Sequence, residues 1–168
     1  VVTKEWQFIG AGYIGPVPVP VIIMIIAIII TALMMNKTKL GRHIYAVGGN
    51  TQAAEFSGIK VARVKFIVHA YAGLMAGLAG IILASRMYSG QPTAGEGAEM
   101  DAIAAVVVGG TSMAGGSGKI GGTIIGALII GVLNNGLNLM NVNSFWQDVV
   151  KGVVILLAVF IDYIRNRK

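Results

Sequence analysis

Two sets of polar side chains in this chain have types and spacings that could do chemistry. Glu96, Glu99 and Asp101 bring three carboxylates close together in sequence. A carboxylate pair can carry acid–base work, but no histidine or other partner stands beside them, so an enzymatic reading is weak. Glu96 and Glu99 read as solvated acids. Asp101 opens an apolar segment. It can serve there as a helix cap or first-turn acid, or as an ionisable group on a path through a membrane. Asn134 and Asn138 lie four apart on one helix face, with Asn135 beside them. Amides in a membrane helix need partners across helices or in a polar cavity. They also offer donor and acceptor together, which suits sugar hydroxyls. Interhelical glue and solute contact both fit these amides.

The glycine-rich stretch 109–122 invites a phosphate-binding reading. Gly116-x-Gly118-x-x-Gly121 matches a dinucleotide fingerprint formally. That pattern has meaning only after a strand and within a βαβ unit, and here apolar membrane segments flank it. The phosphate-loop pattern fails as well. Gly118-Lys119 is followed by Ile120, not Ser or Thr, and Met113 stands where the first glycine belongs. The glycines therefore read as close-approach positions and an unwound turn. Gly73-x-x-x-Gly77 and Gly122-x-x-x-Gly126 read as tight helix-packing motifs. His69 is a lone helical histidine and takes no role. His43 reads as an ordinary cytoplasmic residue.

The segment 46–59 carries a different signal. Asn50 is a good N-cap and Gly58 a good residue just past a helix end. Together they bracket a two-turn helix, Thr51 to Ser57. So short a helix is marginal alone in water, so a partner surface or a membrane interface must hold it. Ala53, Ala54 and Ser57 are small enough for a groove on another protein. Packing on its own bundle is the plainer alternative.

These groups need elements to position them, and the composition says which kind. Hydrophobic residues make up 55% of the 168 and charged ones 12%. About 25% charged is usual in soluble domains, and the mean hydropathy is +0.77. That leaves too little polar surface to coat a water-soluble globule. The 24 glycines sit inside apolar runs, as in membrane helices. Without cysteine, disulfides and thiolate metal sites are excluded. The net charge of +6 could suggest nucleic acid, but its basic residues cluster at membrane edges, where orientation explains them. The chain opens at Val1, with no Met and no basic segment before an apolar core. It is expected to start mid-protein and not with a signal peptide.

A spanning helix needs about 20 apolar residues. Runs 17–35, 64–85, 121–140 and 149–164 qualify; Lys151 and Asp162 interrupt the last near its ends. Prolines 16, 18 and 20 stand at the start of the first, where missing N–H groups matter least. The stretch 97–110 would cover only about 21 Å as a helix, against a hydrocarbon core of about 30 Å. Charge sets the direction. The loop 36–63 with Lys65 carries Lys37, Lys39, Arg42, Lys60, Arg63 and Lys65 against Glu55 alone, and the C-terminus carries Arg165, Arg167 and Lys168. Both are expected to be cytoplasmic, with the acidic stretch 86–101 and the N-terminus outside. The alternation then requires 97–110 to cross, as a short broken helix completed by the glycine stretch. Irregular backbone at that depth is tolerated only inside protein or beside a water-filled cavity. Trp6, Tyr13, Tyr88, Phe145 and Trp146 fall at the outer edge, and Tyr45 and Tyr163 at the inner one. The expected fold is all-α: a polytopic helical bundle in the lipid bilayer, with about four full spans plus one short broken crossing.

Several stretches resemble the permease subunit of bacterial ribose-type ABC sugar importers. They are Gly41 to Ile59, Gln91 to Gly95 running into Asp101 to Ser112, Asn134 to Leu139, and Trp146-Gln147 through Val153 to Val159. The likeness covers nearly the whole chain and is strongest to ribose permeases; xylose, galactose and autoinducer-2 permeases are similar. It implies a non-enzymatic subunit without cofactor in the bacterial inner membrane. This would pair with a second permease copy, dock on a cytoplasmic ATP-binding subunit, and receive sugar from an extracytoplasmic binding protein. It also implies that Gly49, Asn50, Ala53, Ala54, Glu55, Ser57 and Gly58 form the coupling segment. Alternating access would then open a polar cavity with Asp101 near its outer end and Asn134 and Asn138 beside it. Family members are about twice as long, so the chain is expected to be the C-terminal half. An ion-coupled secondary transporter half and a non-transporting truncated permease are the other readings.

Overall fold

The computed structural model describes residues 4–91 and 93–166. Most of them are helical. In order come α1 (Lys4–Ala11), the two-residue strands β1 (Tyr13–Ile14) and β2 (Val17–Pro18), then α2 (Val19–Lys37) and α3 (Lys39–Gly49). They are followed by α4 (Thr51–Phe56), α5 (Val61–Met87), α6 (Ala98–Val108), α7 (Ile120–Leu139) and α8 (Ser144–Asn166). Among the described residues four helices are long and apolar enough to cross a membrane: α2, α5, α7 and most of α8. These match the four expected runs. The first begins two residues later than expected, because Val17 and Pro18 pair with Ile14 and Tyr13 across a turn at Gly15 (φ +63°). Arg167 and Lys168 of the basic C-terminus lie outside the described residues.

The chain divides into two compact units. The first holds residues 1–47 and 51–96. Its α1 lies against the end of α5. The Ser85 hydroxyl donates to the Trp6 carbonyl, and a Cβ at Gly10 would overlap the Ser85–Arg86 backbone. Thr31 on α2 and Tyr71 on α5 share a hydroxyl hydrogen bond of 2.6 Å. The helix α3 was not expected within the loop 36–63. Thr38 explains it by serving two helix ends at once. Its hydroxyl donates to the Met34 carbonyl at 2.6 Å, and accepts from the Gly41 N–H at 3.2 Å. The first bond closes α2 and the second caps α3.

The second unit holds residues 48–50 and 97–168. The short helix α6 runs antiparallel to α7: Gly109 meets Gly122, Ala105 meets Gly126, and Asp101 meets Asn134. It runs in the same direction as α8, because Asp101 pairs with Lys151 and Ser112 with Asp162. Glycine is required where α6 touches α7. A Cβ at Gly122 would overlap the Gly109 carbonyl oxygen, and one at Gly126 the Ala105 carbonyl oxygen. The apolar layer of this unit joins Ala104, Ala105 and Ile130 with Val108, Val154 and Ile155. Lipid is as apolar as these side chains, so close fit rather than escape from water holds them.

The termini of α4, α6 and α7 close alike. The N–H of the residue after a left-handed position reaches back six residues inclusive: Ile59 to Ala54, Thr111 to Val106, Val142 to Leu137. The left-handed residues are Gly58 (φ +81°), Gly110 (φ +82°) and Asn141 (φ +53°). Gly58 thus fills the role its sequence position predicts. Much apolar surface stays uncovered; α2 alone exposes Ile25, Ile26, Ile29, Ile30 and Leu33. Surface of that kind marks contact with lipid or another chain.

Candidate functional site

At only 11 residues, α6 would be about 16 Å long. Gly97 precedes it in the left-handed region (φ +82°), and Glu99 and Asp101 occupy its first turn. Glu96 and Glu99 are exposed, as expected. Asp101 is a first-turn acid and not the N-cap. Its carboxylate is engaged on both oxygens. Oδ2 accepts from Asn134 Nδ2 at 2.9 Å. Oδ1 takes no aligned hydrogen bond but lies 2.9 Å from Lys151 Nζ, an ion pair. Lys151 also approaches the exposed Asp148, one turn earlier on α8, at 3.8 Å.

The geometry fixes the orientation of the Asn134 amide. A carboxylate can only accept, so the NH₂ group must face Asp101. The amide oxygen Oδ1 is then left buried, and it receives no hydrogen bond among the described residues. An unsatisfied buried acceptor costs about 1–3 kcal/mol. Asn134 and Asp101 line a shallow cleft of about 280 Å³. Its remaining walls are mostly small: Ala102, Ala105, Ala127 and Gly131, with Ile130. Small side chains leave room for a solute beside the two polar groups.

The structure separates the two amides that sequence spacing joins. Asn138 is exposed, and its Oδ1 accepts from Gln147 Nε2 at 3.0 Å. Gln147 also donates to the Val142 carbonyl at 2.8 Å. Asn138 therefore staples the α7–α8 turn and does not reach Asp101. The sequence reading missed Lys151 as a partner. The signal was present: opposite charges stand in two otherwise apolar segments, and such residues inside a membrane pair with one another.

The helix α4 sorts its residues by face. Ala54 is buried against Val47 and Val64, with Ile59 beside them. It faces inward, so it is unavailable to a partner groove. Ala53, Glu55, Ser57 and Gly58 are exposed. Phe56, which the sequence reading passed over, is 92% exposed. Just before α4, Gly48 and Gly49 lie against Gly115 and Gly116. A Cβ on Gly48 would stand 2.8 Å from the Gly116 nitrogen, and one on Gly116 2.6 Å from the Gly49 Cα. Gly115 and Gly116 adopt φ of +91° and +74°, so two backbones touch where no side chain fits. The glycine stretch 109–119 is thus an unwound turn in close contact, as expected.

The family model described as "Branched-chain amino acid transport system / permease component" matches residues 3–159. The ribose import permease protein of Bacillus subtilis (strain 168) is 59% identical over 157 residues, 94% of this chain and 49% of that protein. The ribose import permease protein of Escherichia coli (strain K12) is 58% identical over 153 residues, 91% of this chain and 48% of that protein. The xylose transport system permease protein of Escherichia coli (strain K12) is 49% identical over 152 residues, 90% of this chain and 39% of that protein. The chain spans about half the length of the curated relatives it matches. No solved structure matches it.

Proposed function

The chain belongs to this permease family, and from that premise we propose that it forms part of the membrane path of an ATP-driven importer of ribose or a related monosaccharide. The observation that carries this reading is the 59% identity to a ribose import permease across 94% of the chain. The family description names branched-chain amino acids, but the similar relatives named above handle ribose and xylose. The cleft beside Asp101 and Asn134 is the part of the path this chain supplies. Asn134 Oδ1 is buried and without a hydrogen bond among the described residues, and a movement that uncovers it gives a solute hydroxyl its acceptor. Asn138 contributes at the turn, through Gln147, and not in the cleft.

ATP hydrolysis takes place in a separate cytoplasmic subunit, and α4 with its flanks is the docking segment. Gly49, Asn50, Ala53, Glu55, Ser57 and Gly58 flank Phe56 in sequence, and its exposed ring anchors the contact. Ala54 holds the segment to its own unit. The basic loop is cytoplasmic. The end of the second unit where residues 48–50 meet Gly115–Gly116 then faces the cytoplasm as well, and the Asp101 end faces outward. A second copy and a sugar-binding protein complete the assembly. Nucleotide-driven motion of α4 shifts the permease between two states only insofar as the ATP-binding subunit binds those states differently.

Vesicles containing the complete transport assembly test the proposal. Labelled ribose uptake that persists when ion gradients are collapsed and stops when ATP is withheld supports it. Uptake that follows an ion gradient and ignores ATP identifies a secondary transporter instead. Recovery of an ATP-binding subunit without any uptake identifies a non-transporting permease.

A further inference from the structure

We propose that Lys151 sets the selectivity of the Asp101–Asn134 cleft for uncharged, hydroxyl-rich solutes, an inference that rests on the transport reading above. A lone carboxylate in an apolar helix layer attracts cations. Asp101 is not alone, because Lys151 Nζ lies 2.9 Å from its Oδ1. The lysine is the more deeply held partner: its side chain is 13% exposed, against 33% for Asp101. The packing of Val154 and Ile155 against Ala104 and Ile130, one turn further along α8, keeps it in register.

The pair cancels the charge at the cleft. A cation meets a carboxylate already taken and an ammonium that repels it. An anion would have to draw Lys151 away from Asp101. A neutral solute has neither cost. Asn134 gives one of its two N–H groups to Asp101, and its amide oxygen, a pure acceptor, is buried with no hydrogen bond among the described residues. That is the complement of a hydroxyl donor. Asp148 faces Lys151 from the exposed side at 3.8 Å. It is 72% exposed, where water screens its charge, so it does not restore a cation site in the cleft.

The test uses the complete assembly in vesicles, with labelled ribose as solute and a protonated amino sugar as competitor. Lys151→Gln is expected to lower ribose uptake by about tenfold, as an uncompensated charge in a low-dielectric site would. It should also make uptake at least about tenfold more sensitive to the amino sugar. Lys151→Arg keeps the charge and should behave like the parent. The pair Asp101→Asn with Lys151→Gln is neutral again, and should regain ribose uptake and lose the new sensitivity. Unchanged uptake and competition in Lys151→Gln would overturn the inference while leaving the transport reading intact. If Lys151→Gln fails to insert, the double variant decides: no uptake by it, with Lys151→Arg active, also overturns the inference. No uptake by the parent assembly would sink the transport reading and this inference with it.

Discussion

The two units use the same sequence motif in opposite ways. On α7, Gly122-x-x-x-Gly126 is filled: the backbone of α6 lies where side chains would be. On α5, Gly73-x-x-x-Gly77, continued by Gly80, meets nothing within 4 Å among the described residues. The sequence reading assigned both to tight packing, and among the described residues only the α7 motif packs against another helix. The polar contacts differ in the same sense. The second unit joins its helices through an ion pair and a charged hydrogen bond, whereas α2 and α5 share one neutral hydroxyl bond. The motif thus records that a helix can be approached closely, and the partner must be found elsewhere.

The contrast can be strained most at the polar contacts. Asp101→Leu leaves the part-buried Lys151 ammonium without its nearer carboxylate. It should cost about 3 kcal/mol, the low end for a broken buried pair, because Asp101 is itself one-third exposed. Tyr71→Phe removes one neutral interhelical bond and should cost only about 0.6 kcal/mol. Unfolding of both variants in detergent, followed by circular dichroism, measures the difference. Equal losses would erase the distinction between the units.

The glycines give the next largest effect. Gly126→Ala forces a methyl into the Ala105 carbonyl and should cost about 2 kcal/mol. Gly77→Ala meets open space and replaces a poor helix former. In helix propensity alone it should gain up to about 1 kcal/mol. Melting temperatures of the two variants, read side by side, check this. A destabilising Gly77→Ala would mean that the open face of α5 is covered within the folded chain.

The smallest stability effect is expected on α4. Phe56→Ala removes an exposed ring and should change stability by no more than about 0.5 kcal/mol. Co-purification of the ATP-binding subunit should nevertheless fall sharply. Gly58→Arg should cost about 1 kcal/mol for a side chain in the left-handed region and uncouple ATP hydrolysis from uptake without loss of membrane insertion. Normal coupling in both variants would remove α4 as the docking segment.

Much of this fold was legible because long apolar runs and charge asymmetry are local signals. The four long helices and the short α6 follow from them, and the helix before Gly58 follows from its bracketing residues Asn50 and Gly58. The helix α3 was not, because its start depends on Thr38 serving two helices through side-chain bonds. At the candidate site, Asp101 and Asn134 could be singled out by type. The opposite charge of Lys151 signals a partner, but that it meets Asp101 depends on the parallel run of α6 and α8, which spacing alone does not give. Asn138 misled for the same reason: helical spacing puts it on the Asn134 face, and the turn to α8 gives it to Gln147 instead.

One measurement addresses the cleft directly. The chain has no cysteine, so a thiol placed at Asn134→Cys is the only one this sequence contributes, and the parent assembly supplies the background. A thiol reacts as its thiolate, which needs water around it. In the complete assembly, a membrane-impermeant thiol reagent should label this position, and ribose should slow the labelling. Labelling no faster than at the apolar position Ile129→Cys, or unaffected by ribose, would contradict a sugar path through this cleft.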